Sequence, residues 1–442
     1  MLPSDVGRRH GSEIRLACET AQAMWKQRPK AADPISRPLH PIPLVSHPSH
    51  SSPLIISSQA HLKPHLNTLP SANKPSSTMS LPAKMRALVT VEGKKAEVKE
   101  VPVPSLDADE ILVRVKAVTL NPTDWKHIQY IAPPGVTVGC DFAGVVEQIG
   151  PDAKNTSLKK GDRVAGFVHG SKDADRGSFA EFLKTNSELV AKIPDNFDDA
   201  AASALGVGGE TAVQALFHRL AIPVPDYSHG AVPVTDDSPE LLVWAGSTSV
   251  GQWAVQIGHA TGYKVITTAS PKNHELLKQL GAHDVYDYRD ETTPQKISSK
   301  YPNLSKALDC ISENGTQQLC VKSLGTNGGD VVVLLKPDPE AIALRKGEVN
   351  IIHTLAYTAL GRPFTYGKAA VFDQDRVSAD AALMKEWLNG DKGHFYSLLQ
   401  RGILRGNKIK KMDGGLDSIN EGLKYLQDGK VSAEKLAYTI SS

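Results

Sequence analysis

The sequence predicts an α/β protein in which a compact, mostly β module precedes a doubly wound parallel sheet. In the second half, short apolar strands alternate with amphipathic helices in a regular rhythm, the pattern of βαβ units. At the head of that rhythm the apolar run Leu241-Leu242-Val243-Trp244-Ala245 breaks at Gly246 and restarts as a helix. Ahead of it, from Met85, short strands joined by glycine turns predominate.

Taken in order, Glu110–Thr119 alternates around Leu112, Val113, Val115 and Val118. Strands over 141–149 and 163–168 follow, linked by the polar turn Lys159-Lys160-Gly161-Asp162. A further short strand is expected over 179–183, and Ile193-Pro194-Asp195 ends the series. In the second half the expected elements are a helix over 250–259, a strand over 264–269 and a helix over 273–280 stopped by Gly281. Strands over 284–288 and 306–311, a helix over 313–324 and a strand over 329–335 continue the series. A β module joined to such a domain leaves a cleft, the usual place for a small ligand.

Composition narrows the class. The 442 residues suffice for two or three domains. The formal net charge is +2 with acids and bases interspersed, so neither nucleic acid nor an anionic membrane is indicated as a partner. No apolar run approaches the roughly 20 residues that span a bilayer. Cys18, Cys140, Cys310 and Cys320 form no C-x-x-C pair, which argues against a disulfide framework and fits a reducing, cytoplasmic compartment. Residues 1–82 are a different material. From Pro29 to Ser80 the chain is rich in Pro, Ser and His without apolar periodicity, a composition expected to stay disordered, with Met79 as an alternative start.

The turn Gly246-Ser247-Thr248-Ser249-Val250-Gly251 would aim free backbone N–H groups of a helix start at a diphosphate. A strict G-x-G-x-x-G is absent, because Thr248 and Ser249 stand in its middle, and an ordinary βα turn competes with this reading. The length of the βαβ unit favours the diphosphate. The next strand ends in Ser270-Pro271-Lys272-Asn273, where an acid would grip the ribose 2′-hydroxyl of NAD. No acid stands there. A hydroxyl, an ammonium and an amide do, all groups that favour a 2′-phosphate, so the expected cofactor is NADPH.

Together, Asn121-Pro122-Thr123-Asp124-Trp125-Lys126, Gly139-Cys140-Asp141-Phe142-Ala143-Gly144, Gly161-Asp162-Arg163-Val164 and the two turns above resemble the medium-chain dehydrogenase/reductase superfamily. More narrowly, they resemble the fungal trans-acting enoyl reductases that serve polyketide synthases. The resemblance implies a GroES-like catalytic domain over 83–207, completed by 385–442, and a Rossmann NADPH-binding domain over 208–384. Zinc-dependent members of the superfamily carry a cysteine where Asn121 stands and a histidine where Cys140 stands. A lone Cys140 cannot supply the three protein ligands that zinc needs, so no metal ligand is expected. Hydride transfer to an activated C=C bond remains.

The same resemblance assigns residues. Lys126 is a catalytic or positioning lysine near the nicotinamide ribose, against the plain reading of a solvated lysine. Thr211, in Gly208-Gly209-Glu210-Thr211-Ala212, is the second catalytic candidate, against the plain reading of a helix-start residue that satisfies a backbone N–H. Cofactor contacts are implied for Thr123, Asp124, Trp125 and Lys126, and for Ser247, Thr248, Ser249 and Val250 at the diphosphate. They are implied also for Ser270, Pro271, Lys272 and Asn273, for Tyr288 on the adenosine half, and for Leu334, Leu335, Val431 and Ser432. Substrate contacts are implied for Gly208, Gly209, Glu210 and Thr211, and for Ala356, Tyr357, Thr358, Ala359 and Leu360. That last run suits an acyl chain, with Tyr357→Ala admitting bulkier groups, and reads equally as core. His169 and His218 are assigned no role, His218 because it sits in the amphipathic run 212–220.

The leading expectation is therefore a monomeric, NADPH-dependent, zinc-free enoyl reductase acting on an α,β-unsaturated acyl thioester held by a synthase carrier domain. The alternatives are a general alkenal or quinone reductase on free small substrates, and a non-catalytic NADPH-binding protein. No residue of the sequence declares itself the proton donor.

Overall fold

A computed structural model describes residues 81–366 and 370–441. The expectation of disorder for the N-terminal extension lies outside the described residues, apart from positions 81 and 82. The described chain opens with an antiparallel hairpin, β1 (Lys84–Val91) and β2 (Lys95–Pro102), which sequence reading did not place. Its second strand is charged on the face it turns to solvent, which masks the alternation.

A seven-stranded sheet follows. Its strands are β3 (Glu110–Thr119), β4 (Asp141–Ile149), β5 (Arg163–Phe167), β6 (Phe182–Asn186) and β7 (Ala191–Lys192), completed near the C-terminus. The strand expected over 179–183 begins later because its first residues are engaged elsewhere: the Leu88 N–H of β1 donates to the Phe179 carbonyl at 2.8 Å, and only Phe182–Asn186 runs along β3. Helix α1 (Pro122–Tyr130) leaves β3 at the Asn-Pro-Thr-Asp turn, with proline in its first turn, where a missing N–H costs nothing.

Two short helices, α2 (Asp199–Ser203) and α3 (Gly206–Val213), lead out of the sheet, and α3 widens into a π-helical stretch, Gln214–Arg219. The second sheet comprises β8 (Glu240–Trp244), β9 (Lys264–Thr268), β10 (Ala282–Tyr286), β11 (Lys306–Asp309), β12 (Gly329–Val333) and β13 (Val349–His353). All its pairings are parallel, in the order β10-β9-β8-β11-β12-β13. That is the doubly wound order, whose direction reverses between β8 and β11, and ligands of such sheets bind beyond the strand ends at that reversal. The connecting helices are α4 (Ser249–Ala260), α5 (His274–Gln279), α6 (Thr293–Lys300), α7 (Thr316–Ser323) and α8 (Pro339–Leu344). Both faces of the sheet are covered. Leu241, Val243 and Val265 pack with Trp253, Leu216, Trp387 and Phe395 on one side, and Leu242, Trp244 and Ile266 with Ile297 and Val321 on the other. This is why β8 reads as a continuous apolar run and not as an alternating one.

After β13 come a single 3₁₀ turn, Ala356–Leu360, and a small hairpin, β14 (Phe364–Tyr366) with β15 (Ala370–Phe372). Helices α9 (Gln374–Leu388) and α10 (His394–Gln400) supply Trp387 and Phe395 to the second core. The chain rejoins the first sheet only at β16 (Ile409–Met412), crosses α11 (Ile419–Gln427), and ends on β17 (Lys435–Thr439), which pairs with β3.

Candidate functional site

The turn after β8 is built for close approach. Ala245 sits at φ +63°, in the left-handed region, and its N–H is held by the Thr268 hydroxyl at 2.9 Å. A Cβ on Gly246 would lie 2.1 Å from the Thr267 hydroxyl, and one on Gly251 2.5 Å from the Ala245 carbonyl. Both positions therefore require glycine. Thr248 caps α4: its hydroxyl accepts from the Gly251 N–H at 3.0 Å and donates to the Ala245 carbonyl at 3.0 Å. The N–H groups of Ser249 and Val250 lie in the first turn, where the helix itself supplies no partner. Asn407, buried in the returning segment, braces this turn, accepting from the Ser249 hydroxyl at 3.2 Å and donating to its carbonyl at 3.1 Å. No sequence signal singled out Asn407, because a lone asparagine in a loop has no pattern.

Beside this turn, the parallel neighbour β9 ends in Ser270 and a 3₁₀ turn, Pro271–Asn273, with Lys272 exposed. Along the same strand-end edge lie Tyr288, 49% exposed after β10, and Leu335, 37% exposed after β12. The Leu334 N–H is taken by the Ser312 hydroxyl at 2.8 Å. The edge thus presents a glycine cradle, a helix start, an exposed ammonium and two exposed apolar side chains, which fits a nicotinamide dinucleotide.

From the first sheet, the turn into α1 faces the second half of the chain. Asp124 is turned inward: its carboxylate accepts from the Asn121 N–H at 2.7 Å, and burial, opposed by that bond, pushes its pKa up to about 7. Trp125 packs partly into the first core, with the Lys126 ammonium 5.6 Å from its ring centre and Lys126 half-buried. Behind the turn lies a buried ion pair absent from the expected site. The Lys435 ammonium of β17 donates to Asp141 at 2.8 Å and to the Asn121 side-chain carbonyl at 2.6 Å. Asp141 also accepts from the Thr119 hydroxyl at 2.9 Å and from the Val207 N–H of α3 at 2.7 Å. One carboxylate thereby ties both halves of the chain together.

Helix α3 passes close to this pair and to α4. A Cβ on Gly206 would meet Asp141 at 2.4 Å, and one on Gly208 would meet the Ser249 hydroxyl at 2.5 Å. Gly209 lies against Phe395 and Trp253. Thr211 is buried and lies in the helix interior, so its reading as a helix-start residue does not hold. Glu210 is 1% exposed and neither carboxyl oxygen has a hydrogen-bond partner; burial, then the charge of Asp141, holds its pKa well above the usual range and favours the neutral acid.

The 3₁₀ turn after β13 divides in two. Thr358 and Ala359 face the interior: the Thr358 hydroxyl donates to Asp380 at 2.5 Å and accepts from Gln214 at 2.8 Å, and Ala359 is fully buried. Asp380 also binds Arg219, at 2.8 and 2.6 Å, and His218, so His218 has a structural role. Tyr357 instead reaches across to the first sheet, where its hydroxyl meets Thr123 at 2.7 Å and the Cys140 thiol at 3.5 Å. His169 stacks on its ring with centroids 3.9 Å apart. His127 contacts the Thr123 hydroxyl at 3.5 Å and the Tyr366 hydroxyl at 3.3 Å through Nε2, and the Gly170 carbonyl at 3.3 Å through Nδ1. Tyr357, His169 and Leu360 border a cavity of about 40 Å³. Val431 is half-buried and Ser432 exposed, in the loop before β17. The structure therefore brings Thr123 and Tyr357 together, and Gly208 and Ser249, while Glu210, Thr358 and Ala359 are enclosed.

A mostly β module followed by a doubly wound parallel sheet, with a glycine-bounded turn at the reversal of that sheet, is the architecture of the medium-chain dehydrogenase/reductase type. Comparison with known proteins agrees. The alcohol dehydrogenase GroES-like domain family matches residues 107–195, and the zinc-binding dehydrogenase family matches residues 249–358. The chain is similar to trans-enoyl reductase ACTTS2 of Alternaria alternata, 37% identical across 80% of this chain and 98% of that one. It is also similar to trans-enoyl reductase TOXD of Cochliobolus carbonum, 39% identical across 63% of this chain and 92% of that one. Among solved structures it resembles an alcohol dehydrogenase superfamily protein from Novosphingobium aromaticivorans, with a TM-score of 0.63, 20% identity, and coverage of 81% of this chain and 100% of that one. The chain belongs to the trans-enoyl reductase family, and it is an oxidoreductase of the enoyl reductase type.

The zinc-binding description of the second family calls for a test against the donor set. Among the described residues no three His, Cys, Asp or Glu side chains converge as metal ligands, and the Cys140 thiol is directed at Tyr357. A tetrahedral zinc needs at least three protein ligands, so the residues present do not fit one. Among the described residues, too, no helix is long and apolar enough to cross a membrane.

Proposed function

We propose that this protein reduces the C=C bond of an α,β-unsaturated acyl thioester, presented on the carrier domain of a polyketide synthase, with NADPH as reductant and without a metal ion. The observation that carries the cofactor choice is the turn after β9: it holds the exposed Lys272 and no acid, next to the glycine cradle. The bound cofactor would supply the hydride. The protein's part is to hold and orient. Ser249 and Val250 would offer free N–H groups to the diphosphate, Ser270, Lys272 and Asn273 would bind the 2′-phosphate, and Leu334 and Leu335 would line the nicotinamide end. The substrate reading is supported by relatives named trans-enoyl reductases that match most of the chain.

Steady-state kinetics test the proposal. Remote binding energy from a pantetheine arm appears in the rate as well as in affinity. A crotonyl thioester of pantetheine or of a carrier domain is expected to show kcat/KM at least roughly tenfold above a matched free enal or quinone, with NADPH preferred over NADH. If the enal or quinone wins, the protein is a general alkenal or quinone reductase. If nothing is reduced while NADPH binds, it is a binding protein.

A further inference from the structure

Thr123, in the helix that leaves the first sheet, and Tyr357, in the turn after the last strand of the second, are 234 residues apart, yet their hydroxyls meet at 2.7 Å. Tyr357 follows β13 at the strand ends where ligands of such sheets bind, and Thr123 opens α1 in the facing turn. The far end of the network permits the polarity in which Tyr357 donates to Thr123. The Gly170 carbonyl can only accept, so the His127 Nδ1 it contacts carries the hydrogen, and Nε2 presents a lone pair. Burial holds that imidazole neutral, with its pKa lowered to about 4. The lone pair faces Tyr366 at 3.3 Å and Thr123 at 3.5 Å, both hydroxyl donors. Thr123 can therefore point its hydrogen away from Tyr357, which lets the Tyr357 O–H donate to the Thr123 oxygen. The 3.5 Å contact is long for a hydrogen bond, so the Thr123 hydrogen is loosely held and free to turn towards a ligand.

We propose that Tyr357, through Thr123, donates the proton that completes reduction of the C=C bond. This rests on the enoyl reductase reading. When hydride adds at the β-carbon, the π-electron pair moves to the carbonyl oxygen and leaves an enolate. The α-carbon of that enolate then takes the Thr123 hydroxyl proton, while the Tyr357 proton passes to the Thr123 oxygen. The phenolate left behind takes a proton from water, and the hydroxide so formed is neutralised by a proton from bulk solvent; Tyr357 borders a cavity of about 40 Å³, which has room for a water molecule. A donor fixed on one face delivers the proton to that face only, so the network also sets the configuration at the α-carbon.

The test uses the full chain, NADPH and a crotonyl pantetheine thioester in D₂O, with the deuterium at C2 of the product assigned by NMR. The parent enzyme is expected to give a single configuration at C2. Tyr357→Phe keeps the ring stacked on His169 and removes only the hydroxyl. It should lower kcat roughly 100-fold, leave NADPH affinity within about twofold, and scramble the configuration at C2. Thr123→Val should scramble it likewise, and Thr123→Ser should restore it. Retention of a single configuration in Tyr357→Phe overturns the proposal, whether kcat is unchanged or falls, since a packing defect slows turnover without changing the face of protonation. If the parent reduces only a free enal, the same labelling of the enal product tests Tyr357, and the thioester reading falls alone. A parent that reduces neither overturns both.

Discussion

Lys272 stands exposed on the turn after β9, where its ammonium is free to meet an anion without first leaving a buried partner. A charge-assisted contact of this kind contributes about 1.5–3 kcal/mol. Lys272→Ala is accordingly expected to weaken NADPH binding roughly 10- to 100-fold and to leave NADH nearly unchanged, as read by nucleotide fluorescence titration. Equal losses for both nucleotides would remove Lys272 from the 2′-phosphate. Asp124 makes a different demand. Its folded-state pKa is raised from 3.8 to about 7, mainly by burial, so between those values the folded protein holds a proton that the unfolded chain has lost. The stability linked to this group is full below pH 3.8 and falls as pH rises through about 7. Asp124→Asn keeps an acceptor for the Asn121 N–H and removes the titration. Its melting temperature relative to the parent should rise between pH 5 and pH 8; a difference that stays flat across that range would show that Asp124 does not titrate there.

At the scale of the element, the βα turn after β8 shows how a local sequence departs from a motif and still builds its shape. Ala245 occupies the left-handed position that glycine usually fills, at a cost of about 1–2 kcal/mol for an L-residue. Thr268 holds it there through its hydroxyl, and Gly246 and Gly251 keep the close approaches. Ala245→Gly should then be neutral or stabilising by up to about 1 kcal/mol, the relief of strain offset by the greater freedom of the unfolded chain. Ala245→Val should lose stability and cofactor affinity together, because a β-branched side chain is poorly tolerated at positive φ. Urea denaturation of the two variants checks this; a loss of about 1 kcal/mol or more in Ala245→Gly would mean that the strain is not there. The elements legible in the sequence were those with strong local signals. The ends of α4, β3 and β4 fall within a residue or two of expectation because glycine, a capping threonine and long apolar runs mark them. The β1–β2 hairpin and the widened turn of Gln214–Arg219 were not legible, since the first has a charged outer face and no local residue pattern marks the second.

At the scale of the whole molecule, Asp141 joins what the chain order separates. It binds Lys435, 294 residues away, and the Val207 N–H of α3, so the last strand, the first sheet and the lead into the second sheet share one buried carboxylate. The sequence by itself determined the fold class, the strand-helix rhythm, the place of the glycine-bounded turn after β8 and the absence of an acid after β9. Each of these is written in contiguous residues through apolar periodicity, glycine placement and charge. Only the tertiary structure decided which polar side chains meet: Lys435 with Asp141, Asn407 with Ser249, and Tyr357 with Thr123. The run 356–360 reads in sequence as a uniform apolar stretch. Its Thr358 and Ala359 turn into the core while Tyr357 turns across to the other sheet, because a 3₁₀ turn sends neighbouring side chains in different directions. Such partnerships depend on where distant backbone segments are brought by packing, and no local pattern records them.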